Sequence, residues 1–486
     1  MKRSSPNRAQ TNALRVSPIE WSLAACIVVL AACGFAFEDY AGLSMVIEAI
    51  LGISLVLAFS GIKSAFQSRT IGKAVLTSSM VFYYWLEAHY LVWTDPPFSV
   101  LNAPMNTSQY ELPLLQEGLL YVALFQVALL VGYSINPRLA GPLRWVRRRT
   151  ESPTRFAAAV RYVLACSGVL AMLLSYSFDL GTALDAALAS RSRTVLPSVD
   201  IGPLLYLGYF SFFAASYFLI RIVAMKDRRP WVWLGALVAL LPSLLSGTRH
   251  YLAYIAFPVL AVAVTRIKGR ISRGRVLKWC AAGVLLLLLC QVQVSVRTQG
   301  WEHLNEVAVS DLANLNVAYQ FSAALFALHL VPDQHDYFHE WIEPHFIYYW
   351  VPRFFWPEKP VIRSWTYYNE TYTRSSTAWN VTPSVIGQFH MNWGLPGVIF
   401  AGMWLGFLAW ATDLLFSAVV VDSQPAMASA LGMAYAFISC SFRFYSPMYF
   451  SYFVFGVIGM LLVTRRKRGA ALAAARVSGL PAATAA

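Results

Sequence analysis

Five cations, Arg249, Arg297, Arg353, Lys359 and Arg443, stand at the ends of apolar stretches or in an aromatic strip, positions from which distant parts of a chain can converge. Fixed guanidinium groups bind phosphate oxygens in bidentate fashion, and an ammonium adds a compact point charge. The group therefore asks for an anionic partner. His390, His250 and Glu358 are the candidates for moving a proton to or from a hydroxyl. Arg191 and Arg193, in the stretch 179–203, are either contacts to a bound molecule or members of a solvated loop. Gln388 and Asn392 join His390 at spacing two, which puts all three on one side of the backbone if it is extended.

Membrane helices must position these groups. Of 486 residues, 58% are hydrophobic and 13% charged, and the mean hydropathy is +0.53, the profile of a polytopic membrane protein built as one integrated domain. Apolar runs of spanning length are expected near 21–37, 43–62, 74–94, 115–134, 157–177, 202–221, 231–247, 250–265, 279–296, 396–417, 426–443 and 446–464. That gives an all-α fold of about twelve transmembrane helices. The net charge of +14 would suggest nucleic acid in a soluble protein. Here most of the cations fall in short loops that orient the helices, so no nucleic-acid partner is expected.

Placing the N-terminus inside leaves every inner segment basic and puts only nine of the 38 Lys and Arg outside: Arg191, Arg193, Arg249, Arg297, Arg353, Lys359, Arg363, Arg374 and Arg443. Such asymmetry sets the sidedness. The spans 231–247 and 250–265 are short and separated only by Thr248-Arg249-His250. Either they meet below the outer surface and hold Arg249 beside a water-filled cavity, or they form a plain hairpin with a solvated Arg.

Between helices nine and ten runs the long polar segment 297–395. Its first part, 302–330, has apolar residues at helical spacing and reads as amphipathic helix lying against the membrane domain. The aromatic run 345–360, broken by Pro352, Pro357 and Pro360, reads as a stiff interfacial strip holding Arg353 and Lys359 at lipid-phosphate depth. The acids Glu302, Glu306, Asp311, Asp333, Asp336, Glu340 and Glu343 are spread as on a solvated helical face, so no metal site is expected. All six cysteines lie in apolar segments, against a disulfide framework or a zinc site. Leu30-Ala31-Ala32-Cys33 resembles a lipoprotein cleavage box and also reads as part of a retained first helix.

The C-terminal half resembles the O-antigen polymerases (Wzy-type), also called oligosaccharide repeat unit polymerases. The matching pieces, in order, are Leu245-Ser246-Gly247-Thr248-Arg249, Val351-Pro352-Arg353 with Trp356-Pro357-Glu358-Lys359-Pro360, and Thr382-Pro383-Ser384-Val385-Ile386-Gly387 followed by Asn392-Trp393-Gly394. The resemblance implies a GT-C-like glycosyltransferase in the bacterial inner membrane. With the sidedness read from charge, this gives cytoplasmic tails at 1–20 and 465–486, helices one to nine in 21–296, a periplasmic loop at 297–395 with amphipathic helices, and helices ten to twelve in 396–464. The implied reaction transfers a growing undecaprenyl-diphosphate-linked glycan onto the non-reducing end of a new lipid-linked unit, for O-antigen or another exopolysaccharide.

On this reading Arg249, Arg297, Arg353, Lys359 and Arg443 hold the diphosphate, and His390, Glu358 or His250 is the base. Arg191, Arg193, Gln388, Asn392 and Tyr445 face the glycan, and no metal or cofactor takes part. The expected partners are the lipid-linked oligosaccharide, membrane lipids and a chain-length regulator protein. One departure is that Gln388 stands where the family pattern carries Glu, so a carboxylate base is missing there. The rivals are an O-antigen ligase, which uses lipid A core as acceptor, and a lipid-linked oligosaccharide flippase. Glu38-Asp39 resembles the acidic pair of monomer-transferring enzymes, but in a loop of about six residues it is too short to build a site.

Overall fold

The computed structural model describes residues 16–68, 70–93, 111–135, 137, 140–179, 181–182, 202–245, 249–266, 320–349, 351, 355–375, 382–419 and 424–466. The protein is a helical membrane protein, and among the described residues seven helices are long and apolar enough to cross a membrane. In chain order the first helices are α1 (Pro18–Cys33), α2 (Tyr40–Ser68), α3 (Ile71–Met80), a π-turn (Val81–Trp85), α4 (Leu86–Trp93) and α5 (Leu112–Ser134). Next come α6 (Ala140–Arg147), β1 (Arg149–Glu151), α7 (Arg155–Ser175), a 3-10 segment (Gly202–Tyr209), α8 (Phe210–Met225), α9 (Pro230–Leu245) and α10 (Arg249–Arg266). The rest are α11 (Gln320–Leu330), α12 (Glu343–Tyr348), α13 (Arg363–Ser375), α14 (Ser384–Ser417), α15 (Pro425–Arg443), α16 (Pro447–Val463) and β2 (Thr464–Arg466). Helices occupy the expected spans wherever these are described; 279–296 lies outside the described residues.

Glycine lets α5 and α14 cross with their backbones in contact. A Cβ on Gly132 would stand 1.9 Å from the Met403 carbonyl oxygen, and one on Gly406 would stand 2.0 Å from that of Leu129. Gly402 and Gly406 are one helical turn apart, the small-residue spacing that lets membrane helices approach closely. On the other side of the bundle α8 packs against both α9 and α10, and α15 joins the two halves by touching α3, α10 and α14. The short spans α9 and α10 thus touch each other little: α9 rests chiefly on α8, and α10 on both α8 and α15.

Buried polar groups tie the helices together at one end. Asp413 of α14 accepts from the Gly72 N–H at 2.7 Å, the Tyr133 hydroxyl at 2.6 Å and the Tyr435 hydroxyl at 2.8 Å, joining α3, α5, α14 and α15. Glu20 completes a capping box with Ser17 at the start of α1 and pairs with Lys73 of α3. At the same end β1 and β2 pair antiparallel, which places 149–151 beside 464–466.

Two expectations for 297–395 are corrected. Gln320–Leu330 does not lie amphipathically on a surface: every residue of α11 except His329 is buried, against α4, α5 and α14. Its first turn is capped by the Glu87 carboxylate, which accepts from the Phe321 N–H at 2.6 Å and the Ser322 N–H at 3.2 Å. The tenth expected span begins not at 396 but at Ser384, and the helix breaks at Gly394 (φ 61°, ψ −151°), a conformation open only to glycine. The half before the break is almost wholly buried, which is why its polar residues concealed it from hydropathy.

Candidate functional site

A cluster of tyrosines marks the end of the bundle opposite the strand pair. The turn after α15 is short: Ser446 caps α16 by accepting from the Met448 N–H at 3.2 Å, so Arg443 ends α15 next to the first turn of α16. Tyr83 lies within electrostatic reach of both Arg443 and Tyr449. Tyr449 offers its carbonyl to the Tyr254 hydroxyl at 2.7 Å, tying α16 to α10. The His250 ring stacks on Tyr452 at 5.7 Å, with Nε2 3.3 Å from the Tyr452 hydroxyl oxygen. Because His250 is the second residue of α10, the backbone carries Arg249 to the same place.

Tyr452 also meets Tyr209 edge-on at 4.5 Å and Tyr251 at 5.7 Å. Side-chain hydrogen bonds continue from Tyr452 to Tyr209, from Tyr209 to Tyr349 and from Tyr349 to Tyr206. Burial, reinforced by the Tyr209 and Tyr206 phenols, holds the Tyr349 hydroxyl well above its ordinary value, so it remains a neutral donor. The Lys359 ammonium donates to the Val351 carbonyl at 3.0 Å and lies 5.9 Å from the Tyr349 ring. Three cation-bearing positions, 249, 359 and 443, therefore border one array of phenols and an imidazole. Such an array can hold an anion by charge and hydrogen-bond its neighbours without adding negative charge.

Of the other expected site residues, Arg191, Arg193, Arg297 and Arg353 lie outside the described residues. Gln388, His390 and Asn392 are helical rather than extended, so spacing two turns His390 away from the side that Gln388 and Asn392, one turn apart, share. Gln388 Oε1 accepts from the Tyr445 N–H at 3.2 Å. Asn392 donates to the Ser364 hydroxyl at 3.1 Å and accepts from the Glu340 N–H at 3.3 Å. His390 Nε2 meets the Val331 carbonyl at 2.7 Å, with its ring between Tyr121 and Tyr337. These residues clamp the segments around 331–340, 364 and 445 onto the buried half of α14. Tyr445 is buried too, its hydroxyl accepting from the Trp404 indole at 2.7 Å. Glu358 is exposed, which leaves His250 as the expected base that stands among the cations.

The solvated acidic face is also corrected. Glu340 accepts from the Arg363 N–H at 2.9 Å and pairs with His345 at 3.1 Å. Glu343 opens α12 with its carboxylate oxygens buried, near Tyr445 and without a well-formed hydrogen bond, and burial raises it above the usual carboxylate range. Sequence gave no warning of this carboxylate beyond its place before Pro344 at a helix start. No protein-family model, curated protein or solved structure matches the chain.

Proposed function

We propose that the chain is a membrane glycosyltransferase of GT-C-like architecture that polymerises undecaprenyl-diphosphate-linked repeat units, working on the periplasmic side of a bacterial inner membrane through about twelve spans. The observation that carries this reading is the meeting of Arg443, Lys359 and the Arg249-bearing start of α10 at one tyrosine and histidine cluster. In the reaction the acceptor hydroxyl attacks the anomeric carbon of the growing glycan. The bond from that carbon to the diphosphate oxygen breaks, and the cations stabilise the charge that develops on the leaving group. His250 takes the acceptor proton, and the phenols hold neighbouring oxygens in place.

The test is the glycan ladder of membranes carrying Arg249→Ala, Arg443→Ala or Lys359→Ala at normal protein levels. Loss of the ladder is expected for each arginine, and an unchanged ladder for all three would overturn the site. A null strain separates the polymerase from the ligase: single-repeat lipopolysaccharide persists if a polymerase is lost, whereas all O-antigen disappears if a ligase is lost.

A further inference from the structure

Between α3 and α4 the backbone widens into the π-turn Val81–Trp85. Such turns are uncommon inside helices and recur at functional sites. Val-Phe-Tyr-Tyr-Trp contains no proline or glycine to force one, so its cause lies in what its side chains reach. Both tyrosines address the same neighbour. Tyr84, fully buried, donates to the Phe442 carbonyl at 3.0 Å, and the Tyr83 ring lies nearly parallel to the Phe442 ring with centroids 6.3 Å apart. Trp85, also fully buried, donates to the Gln126 side-chain oxygen at 2.7 Å and anchors the turn on α5. One turn earlier Ser79 shares a hydrogen bond of 3.2 Å with Ser439. The segment therefore grips the last turn of α15, up to the residue before Arg443.

The polar ends of Tyr84 and Trp85 are used inside the fold, whereas Tyr83 is only half-buried. Its phenol interacts with Ser439, Cys440, Arg443 and Tyr449, all on α15 and α16, so its open surface lies at the tyrosine and histidine cluster rather than against lipid. Ser439 and Arg443 are four residues apart on one face of α15. A phenol that meets Ser439 therefore stands beside the arginine that ends the helix. The fold itself has little need of this hydroxyl: stacking on Phe442 asks only for the ring, and Ser439 already has Ser79 as a partner. A neutral donor next to a guanidinium suits an anion, which both groups can bind without adding negative charge.

We propose that Tyr83 is a further binding residue of the diphosphate site, its hydroxyl donating to a phosphate oxygen held by Arg443, and that Tyr84 is the positioning residue that fixes this arginine through the Phe442 carbonyl. The inference rests on the diphosphate reading given above and deepens it. Charge that grows on the leaving group strengthens a hydrogen bond already in place, so the π-turn contributes to the same stabilisation as the cations. The phenol keeps its proton throughout, and the acceptor proton still goes to His250.

The experiment titrates full-length protein in nanodiscs with undecaprenyl diphosphate, the leaving group of the proposed reaction, and records the melting temperature of each variant. Tyr83→Phe keeps the stacked ring, so its melting temperature should hold while affinity falls about 10- to 100-fold, the effect of one hydrogen bond to a charged group. Ser439→Ala removes the phenol's neighbour in the fold and should bind as wild type. A loss equal to that of Tyr83→Phe would show that the hydroxyl serves the fold, and would overturn the proposal. Tyr84→Phe should also weaken binding, whereas Tyr368→Phe, which strips a like hydroxyl from the Ala323 carbonyl on α11, should not. Equal binding by these two variants would overturn the positioning role of Tyr84. Wild-type affinity in Tyr83→Phe, with Arg443→Ala weakened, overturns the role of Tyr83 and leaves the diphosphate site standing. Wild-type affinity in Arg443→Ala and Arg249→Ala as well removes the functional reading, and this inference with it.

Discussion

Asp413 offers the sharpest test of how the bundle is held. Its fully buried carboxylate receives three donors, the Gly72 N–H and the Tyr133 and Tyr435 hydroxyls, at 2.6 to 2.8 Å. Asp413→Ala leaves all three unmatched in a dry interior, at about 1–3 kcal/mol each, so a loss of about 3–6 kcal/mol is expected if the phenols partly reorient. Asp413→Asn keeps one acceptor oxygen, and its amide can donate to a phenol, so its cost is about 1–2 kcal/mol. Adding Tyr133→Phe and Tyr435→Phe to Asp413→Ala removes two stranded donors and should recover part of the loss, a non-additivity expected of groups in contact. Unfolding in mixed micelles, followed for the four proteins under one condition, gives the order. The reasoning fails if Asp413→Ala is no less stable than Asp413→Asn, or if the triple variant is no better than Asp413→Ala.

Three further outcomes follow from single residues. Gly394→Ala forces φ 61° and ψ −151° on a residue with a Cβ and should cost about 1–3 kcal/mol; because the strain is in the backbone, trimming the nearby Tyr337 to Ala should not restore thermal stability. Glu87→Ala strips the cap from α11 and strands two buried N–H groups, about 3 kcal/mol, whereas Glu87→Gln should cost visibly less in the same melting assay. Burial holds the Glu343 carboxyl above 4.5, so the folded state favours its neutral form. That contribution is complete below pH 4.5 and is lost as pH rises through the folded value. The melting temperature of Glu343→Gln should therefore gain on wild type as pH rises above 4.5, and a difference constant from pH 4 to 8 would refute the assignment.

Hydropathy made the long apolar helices legible, because lipid-facing helices must be apolar along their length. It failed where a helix is buried in protein rather than in lipid. Gln388, His390 and Asn392 lower the hydropathy of the first half of α14, yet each finds a partner inside the fold. Helix α11 failed in the opposite sense, being apolar all round while covering only 11 residues. The strand pair was hidden because Arg-Thr-Glu and Thr-Arg-Arg carry no alternating apolar pattern. The cations at 249, 359 and 443 were visible as exceptions to a charge rule, whereas the tyrosines between them were not. Aromatic residues are common throughout this chain, and only tertiary packing selects which of them share hydrogen bonds.

The position of Arg443 shows how these parts depend on one another. Its helix α15 has 19 residues, a length of about 28 Å. The first turn is fixed by Glu151, through the Ala426 N–H, and by Gln424, through the strand pair. Farther along, Tyr435 is held by Asp413 and Gly432 packs directly on the Pro258 backbone of α10. Arg443 is thus carried on a rigid rod anchored at its far end, and His250 on the rod beside it, rather than on mobile loops. A site that stabilises developing charge needs its groups in place before the reaction, since reorganising them during it would forfeit the gain. The small residues and buried acids of the opposite end are what supply that fixity, so the chemistry proposed for one end of the bundle rests on packing at the other.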